Sequence, residues 1–223
     1  MSFPTRYATL LDGDFLLRKM THELGRFPTA AEIEAVANTI DSHECVAGLE
    51  RLRVYFYHAQ PATAVLTHPL SKQRLDLAKT AVHARHTSLL AELETTRDFA
   101  LRLGETSTTG RKLGVQAFRD LMRTRRLIEP EDLVPAVEQK GVDLRIGLDI
   151  ARLALKESVQ AIVAVTGDSD LVPAFKFARR EGLRVFLCHF DHRVKRELRA
   201  HADRVIDLSL AECLGACRQL RAA

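Results

Sequence analysis

The chain has 223 residues, 46% hydrophobic and 28% charged, with a formal net charge of +4. Such a composition excludes a disordered chain, and the length suits one α/β domain with a full core. Apolar runs such as Ala161–Val165 are far too short to span a bilayer. The start, Met1-Ser2-Phe3-Pro4-Thr5-Arg6, lacks the apolar core of a signal peptide, so a cytoplasmic location is the expectation.

Tyr7–Leu11 is short and apolar and ends at Asp12-Gly13-Asp14, which reads as a central strand turning tightly into a helix. Leu16, Leu17, Met20 and Leu24 carry that helix. Thr29-Ala30-Ala31-Glu32 is a capping-box pattern and opens a second helix to about Ile40. Leu52–Tyr57 predicts a strand, with Tyr57 and His58 at its carboxyl end. Ser71 is expected to open a long helix to about Thr96, in which His83 and His86 share a surface face. Phe99–Leu103 predicts a short strand, and the Gly-, Ser- and Thr-rich Gly104–Gly110 a mobile loop. Leu133–Val137 fits a short strand or a helical turn equally.

A helical run to Leu155 precedes the buried strand Ala161–Val165, which ends in Thr166-Gly167-Asp168-Ser169-Asp170. Leu171–Glu181 is helical, with Pro173 tolerated in its first turn. A strand (Leu183–Cys188), a basic helix (Val194–His201), a last strand (Arg204–Leu208) and a terminal helix from Leu210 follow. Alternating strands and helices imply an α/β fold with a mainly parallel central sheet. Cys213 and Cys217 lie one helical turn apart with no second Cys or His pair to make a zinc site; they, Cys45 and Cys188 are read as reduced thiols.

Chemistry concentrates at strand ends. Asp12, Asp14, Asp168 and Asp170 fall where predicted strands pass into helices, at the sheet edge where open α/β folds bind ligands. Asp143 and Asp149 share the preceding helix but point about 120° apart. Asp143 is therefore the expected ligand, and Asp149 a supporting residue or a structural partner. Carboxylates a few ångströms apart repel by about 4 kcal/mol per pair at an effective dielectric near 20. A divalent cation turns that repulsion into binding, and oxygen ligands suit Mg²⁺ or Mn²⁺. Lys140 is either a surface lysine or a contact to a phosphate or the acids, and Ser169 a helix-start residue beside the site. Gly110–Arg126 carries Arg111, Lys112, Arg119, Arg123, Arg125 and Arg126 against the single acid Asp120. Such a stretch is either a solvated surface or a phosphate-binding patch for a nucleic acid.

At these residues the chain resembles the NYN family of the PIN-like nuclease superfamily, in particular its LabA-like branch. The likeness is densest in Gln139–Ile150 and Val165–Pro173, with Arg180–Val185 similar to the family's helix-to-strand step. It implies a single PIN-like three-layer sandwich over residues 1–223, with a helical and basic insertion at about 71–129. It also implies acids around Mg²⁺ or Mn²⁺, and RNA as substrate. Asp12 takes the role of the first-strand acid; Asp143, Asp168 and Asp170 match the later acids, and Asp149 sits at a family acid position. Many members carry an Asn where this chain has Phe15, which leaves a catalytically weak RNA-binding module as one alternative. The other is a haloacid-dehalogenase-like phosphatase with Asp12 as nucleophile and Asp14 as general acid. Leu16 and the tight spacing of the last acids speak against that second alternative.

Overall fold

The computed structural model describes residues 5–215. Cys217 and the first four residues lie outside them. The elements run β1 (Arg6–Asp12), α1 (Gly13–Leu24), α2 (Ala30–Asp41), β2 (Glu50–Ala59), β3 (Val65–Thr67), β4 (Arg74–Asp76), α3 (Ala81–Thr95) and β5 (Phe99–Leu113). They continue through α4 (Val115–Thr124), β6 (Leu133–Lys140), α5 (Val142–Leu155), β7 (Ala161–Val165), α6 (Val172–Arg180), β8 (Arg184–Cys188), α7 (Arg196–Ala200) and β9 (Arg204–Ile206). Residues 210–215 are helical.

The chain divides into two compact units, one from residues up to 58, 89–103 and 141 onward, the other from 59–88 and 104–140. The second overlaps the segment set apart in the sequence, about 71–129, with a different outline. A seven-stranded sheet in the order β6-β5-β2-β1-β7-β8-β9 is flanked by helices and is mostly parallel. β5 meets β6 antiparallel.

In the first unit, alternation along the strands sorts the core. Tyr7, Leu11, Val54, Phe56, Val163, Val165 and Phe186 point to one face, where Leu16, Met20, Ile33, Val36, Ile40 and Leu93 from α1, α2 and α3 cover them. Ala8, Leu10, Ile162, Ala164, Val185 and Leu187 are buried on the opposite face, where α6 packs on β8 and α5 on α6. The capping box of α2 forms as the sequence requires: Thr29 Oγ1 accepts from the Glu32 amide and Glu32 accepts from the Thr29 amide at 2.9 Å.

β1 is the topological hinge. The chain places β2 on one side of it, and later β7 and then β8 on the other. Carboxyl ends on either side of such a reversal open a crevice. Leu11 pairs with Val165, so Asp12 and Thr166 leave the sheet side by side. At the turn into α1, a Cβ on Gly13 would come within 2.5 Å of the Tyr57 carbonyl and 2.9 Å of the Phe56 ring. Glycine is what lets the first-strand acid sit tight against β2.

Three local expectations change. The helix expected from Ser71 begins only at Ala81; before it come β4 and a 3-10 turn capped by the Asp76 carboxylate, and Thr80 Oγ1 accepts from the His83 amide. The expected loop Gly104–Gly110 is strand, because its amides and carbonyls meet β6 from Glu105–Lys140 to Thr108–Val137. Gly110, at φ 101°, absorbs the register shift between Thr108 and Arg111. Leu133–Val137 resolves as strand and extends to Lys140.

Candidate carboxylate site

Asp12 ends β1 and is only 8% exposed. Its Oδ1 accepts from the Phe15 amide at 3.2 Å, so it caps α1. Its Oδ2 accepts from Thr166 Oγ1 at 2.9 Å. Thr166 Oγ1 in turn accepts from the Asp168 amide at 3.0 Å, and Asp168 Oδ1 accepts from the Asp170 amide at 2.9 Å. One buried hydroxyl thus ties the acid of the first strand to the acid turn after β7. Thr166 lies inside the motif read from the sequence, yet nothing local marks it: its partner Asp12 is 154 residues away.

The acids share a field. Burial pushes the Asp12 carboxyl up to about 6, against the hydrogen bonds from Phe15 and Thr166; the charges of Asp14 and Asp143 push the same way. Asp143, in the first turn of α5, is raised by partial burial and then by the charges of Asp168, Asp170 and Asp14. Asp12, Asp14, Asp143, Asp168 and Asp170 are therefore one electrostatic group. Asp14 also pairs with Arg18 at 3.1 Å, one helical turn on. Ser169 opens the 3-10 turn that leads into α6.

Asp149 goes elsewhere. Its Oδ2 accepts from the Tyr57 hydroxyl at 3.0 Å and from Arg102 Nε at 2.9 Å, while the Arg102 guanidinium lies over the Tyr55 ring. The 120° offset on α5 sends Asp143 to the acids and Asp149 to a packing network. Tyr57, at the end of β2, is fully buried and spends its hydroxyl on that network. His58 is buried beside the Phe56 ring.

In the second unit, Lys140 pairs with Glu138 at 2.9 Å. Arg126 holds the buried Asp132 through two 2.6 Å bonds, which keep that carboxyl at about 2. Arg111 donates to the Leu133 carbonyl across the β5–β6 pair. Arg123 reaches Asp120 at 3.5 Å on α4, Arg125 ends that helix at φ 53°, and Lys112 and Arg119 are exposed. The basic stretch is thus part scaffold (Arg111, Arg126) and part solvent-facing charge.

Among the described residues, no three His, Cys, Asp or Glu side chains are gathered closely enough to hold a metal ion. The chemistry of the donor set still suits a hard divalent cation: carboxylate oxygens, with Asp12 and Asp143 raised first by burial and then by their neighbours' charges. Among those residues no helix is long and apolar enough to cross a membrane.

One family model fits the chain, over residues 103–210, and it is that of the NYN domain. That match spans just under half of the chain. The matched segment includes Asp143, Thr166, Asp168 and Asp170, and the α/β fold is the one that PIN-like and NYN proteins share. Asp12 and Asp14 precede the NYN match, and the fold brings them to it. No curated protein matches the chain. A protein of unknown function from Vibrio parahaemolyticus is 14% identical at a TM-score of 0.49, with 92% of this chain and 95% of that one covered. A structure described for Sir2 enzymes is 12% identical at a TM-score of 0.37, with 98% and 94% covered. At these scores neither likeness bears on function.

Proposed function

We propose that the protein is a metal-dependent ribonuclease of the LabA-like branch, acting on single-stranded RNA in the cytoplasm. The observation that carries this reading is the Asp12–Thr166–Asp168 chain of hydrogen bonds, which gathers acids from two neighbouring strands into one field at the switch point. Asp12, Asp143, Asp168 and Asp170 would hold Mg²⁺ or Mn²⁺. That ion supplies a polarised phosphoryl oxygen and an activated water.

The protein's own groups do the positioning. Thr166 fixes the rotamer of Asp12 and the backbone of Asp168 at once. Asp168 caps the turn before α6 and so sets the direction of Asp170. The exposed charges of Lys112, Arg119, Arg123 and Arg125 hold RNA backbone without reading sequence.

Incubation of a labelled single-stranded oligoribonucleotide with the full chain tests the reading. Cleavage with Mn²⁺ or Mg²⁺ that stops on adding EDTA is the expected result. RNA that binds equally with and without chelator and stays intact would instead make the protein a binding module. The buried Phe15, where many relatives carry Asn, is the feature that favours that second reading. A phosphatase with Asp12 as nucleophile is disfavoured because both Asp12 oxygens already accept hydrogen bonds. Turnover of a small phosphomonoester with phosphate trapped on Asp12 would reverse that judgement.

A further inference from the structure

A cavity of about 350 Å³ opens beside the acid turn, lined by Phe15, Arg18, Lys19, His22 and His192. Its lining is basic and aromatic, the reverse of the carboxylates next to it. Phe15 belongs to both places. Its amide bonds Asp12, while its ring meets His192 edge-on at 5.6 Å. The wall is continuous with the loop that carries Asp168: a Cβ on Gly167 would come within 2.8 Å of both the Phe15 and the His192 rings.

The turn that delivers His192 is unusual. Phe190 and Asp191 both take left-handed backbone, at φ 46° and 56°. A bulky residue such as Phe190 holds this conformation only where surrounding contacts enforce it, and such strain clusters at functional sites. Here the contacts are the His192 amide donating to the His189 carbonyl at 2.9 Å and Lys19 Nζ reaching the Phe190 carbonyl at 3.5 Å. Burial, then the charges of Lys19 and Arg18, hold His192 below its ordinary value, so these basic groups are close neighbours. Arg18 is shared with Asp14.

Resting on the ribonuclease reading, we propose that this cavity is a substrate subsite that takes the backbone phosphate next to the one being cut. Lys19, His22 and Arg18 surround that phosphate, and the Phe15 and His192 rings flank the attached nucleoside. An anion placed there also offsets the crowding of positive charge, and the adjoining acids deny the phosphate any deeper position. Phe15 then serves as the shared wall of acid site and subsite.

The test is RNA affinity against salt in EDTA, so that nothing is cut, with the full chain, Lys19→Gln/His22→Gln, and Asp168→Asn. Loss of one phosphate contact lowers the slope of log affinity against log salt by about 0.7 for a single strand. The double variant is expected to show that drop, with weaker binding, while Asp168→Asn keeps the wild-type slope. If Lys19→Gln weakens the fold through its bond to Phe190, Arg18→Gln/His22→Gln changes two exposed residues and gives the same readout. A wild type that binds RNA in EDTA and cuts it when Mn²⁺ is restored, beside double variants of unchanged slope, overturns the subsite alone. A wild type whose RNA binding in EDTA is absent or indifferent to salt overturns the subsite, and one that also leaves RNA intact with Mn²⁺ overturns the nuclease reading with it.

Discussion

Thr166→Val is expected to destabilise the protein by about 2–4 kcal/mol at pH 8, from the loss of a bond to a charged carboxylate and a stranded, partly buried amide. Valine keeps nearly the shape, so the loss isolates the hydroxyl. Two groups are orphaned at once: Asp12 Oδ2 loses its donor and the Asp168 amide loses its acceptor. The cost also depends on pH. The Thr166 bond is one of the influences that hold Asp12 down. Without it the carboxyl rises beyond about 6, and ionising it in the folded state becomes harder. The penalty is therefore larger at pH 8 than at pH 5, where Asp12 is mostly protonated. Urea titrations at the two pH values check this. RNA cleavage should fall by about 10–100-fold, as when the partner of a metal ligand is removed. A cost below about 0.5 kcal/mol that is equal at both pH values would mean the hydroxyl holds nothing together.

Asp12→Asn should make the chelated protein more stable at neutral pH while removing its activity. Folded Asp12 titrates near 6, against an ordinary value of 3.8. Between those values the unfolded chain has released a proton that the folded chain keeps. Stability therefore falls as pH rises through the window from about 4 to 6, by about 3 kcal/mol once ionisation is complete. Asn has no proton to lose, can accept from the Phe15 amide, and can donate to Thr166. In EDTA the variant is expected to match wild type near pH 4 and exceed it by up to about 3 kcal/mol at pH 7. Asp143, also raised, contributes to both proteins and cancels in the comparison. Added Mn²⁺ should narrow the gap by binding folded wild type. A variant no more stable than wild type at pH 7 would mean that Asp12 is not held at a cost. Carboxylates kept ionised against their environment are what a site built for a cation requires.

Much of this site was legible because its signals are local. An apolar run followed by an acid marks Asp12 and Asp168, and the alternation of strands with helices puts both at one edge of a parallel sheet. The divergence of Asp143 and Asp149 follows from helix geometry alone. What stayed hidden depends on distant partners. Thr166 is an ordinary threonine until β1 lies next to β7. Gly104–Gly110 has the composition of a loop, and becomes strand because β6 supplies hydrogen bonds to threonines that suit a pleated surface. Arg126 reads as one of a row of free cations, but Asp132 takes it for the turn that leads into β6. The cavity beside Phe15 is invisible for the same reason: α1 supplies most of its basic lining and the turn after β8 supplies His192.

In the proposed nuclease the acids at the ends of β1 and β7, with Asp143, form one site for a divalent cation. Calorimetric titration of Mn²⁺ into wild type and Asp168→Asn at pH 7 tests it most directly. A saturable heat is expected for wild type, strengthening as pH is raised through about 6, where Asp12 loses its proton, with a loss of at least about tenfold in affinity for the variant. Wild type and Asp168→Asn giving the same heats up to millimolar Mn²⁺ would contradict it.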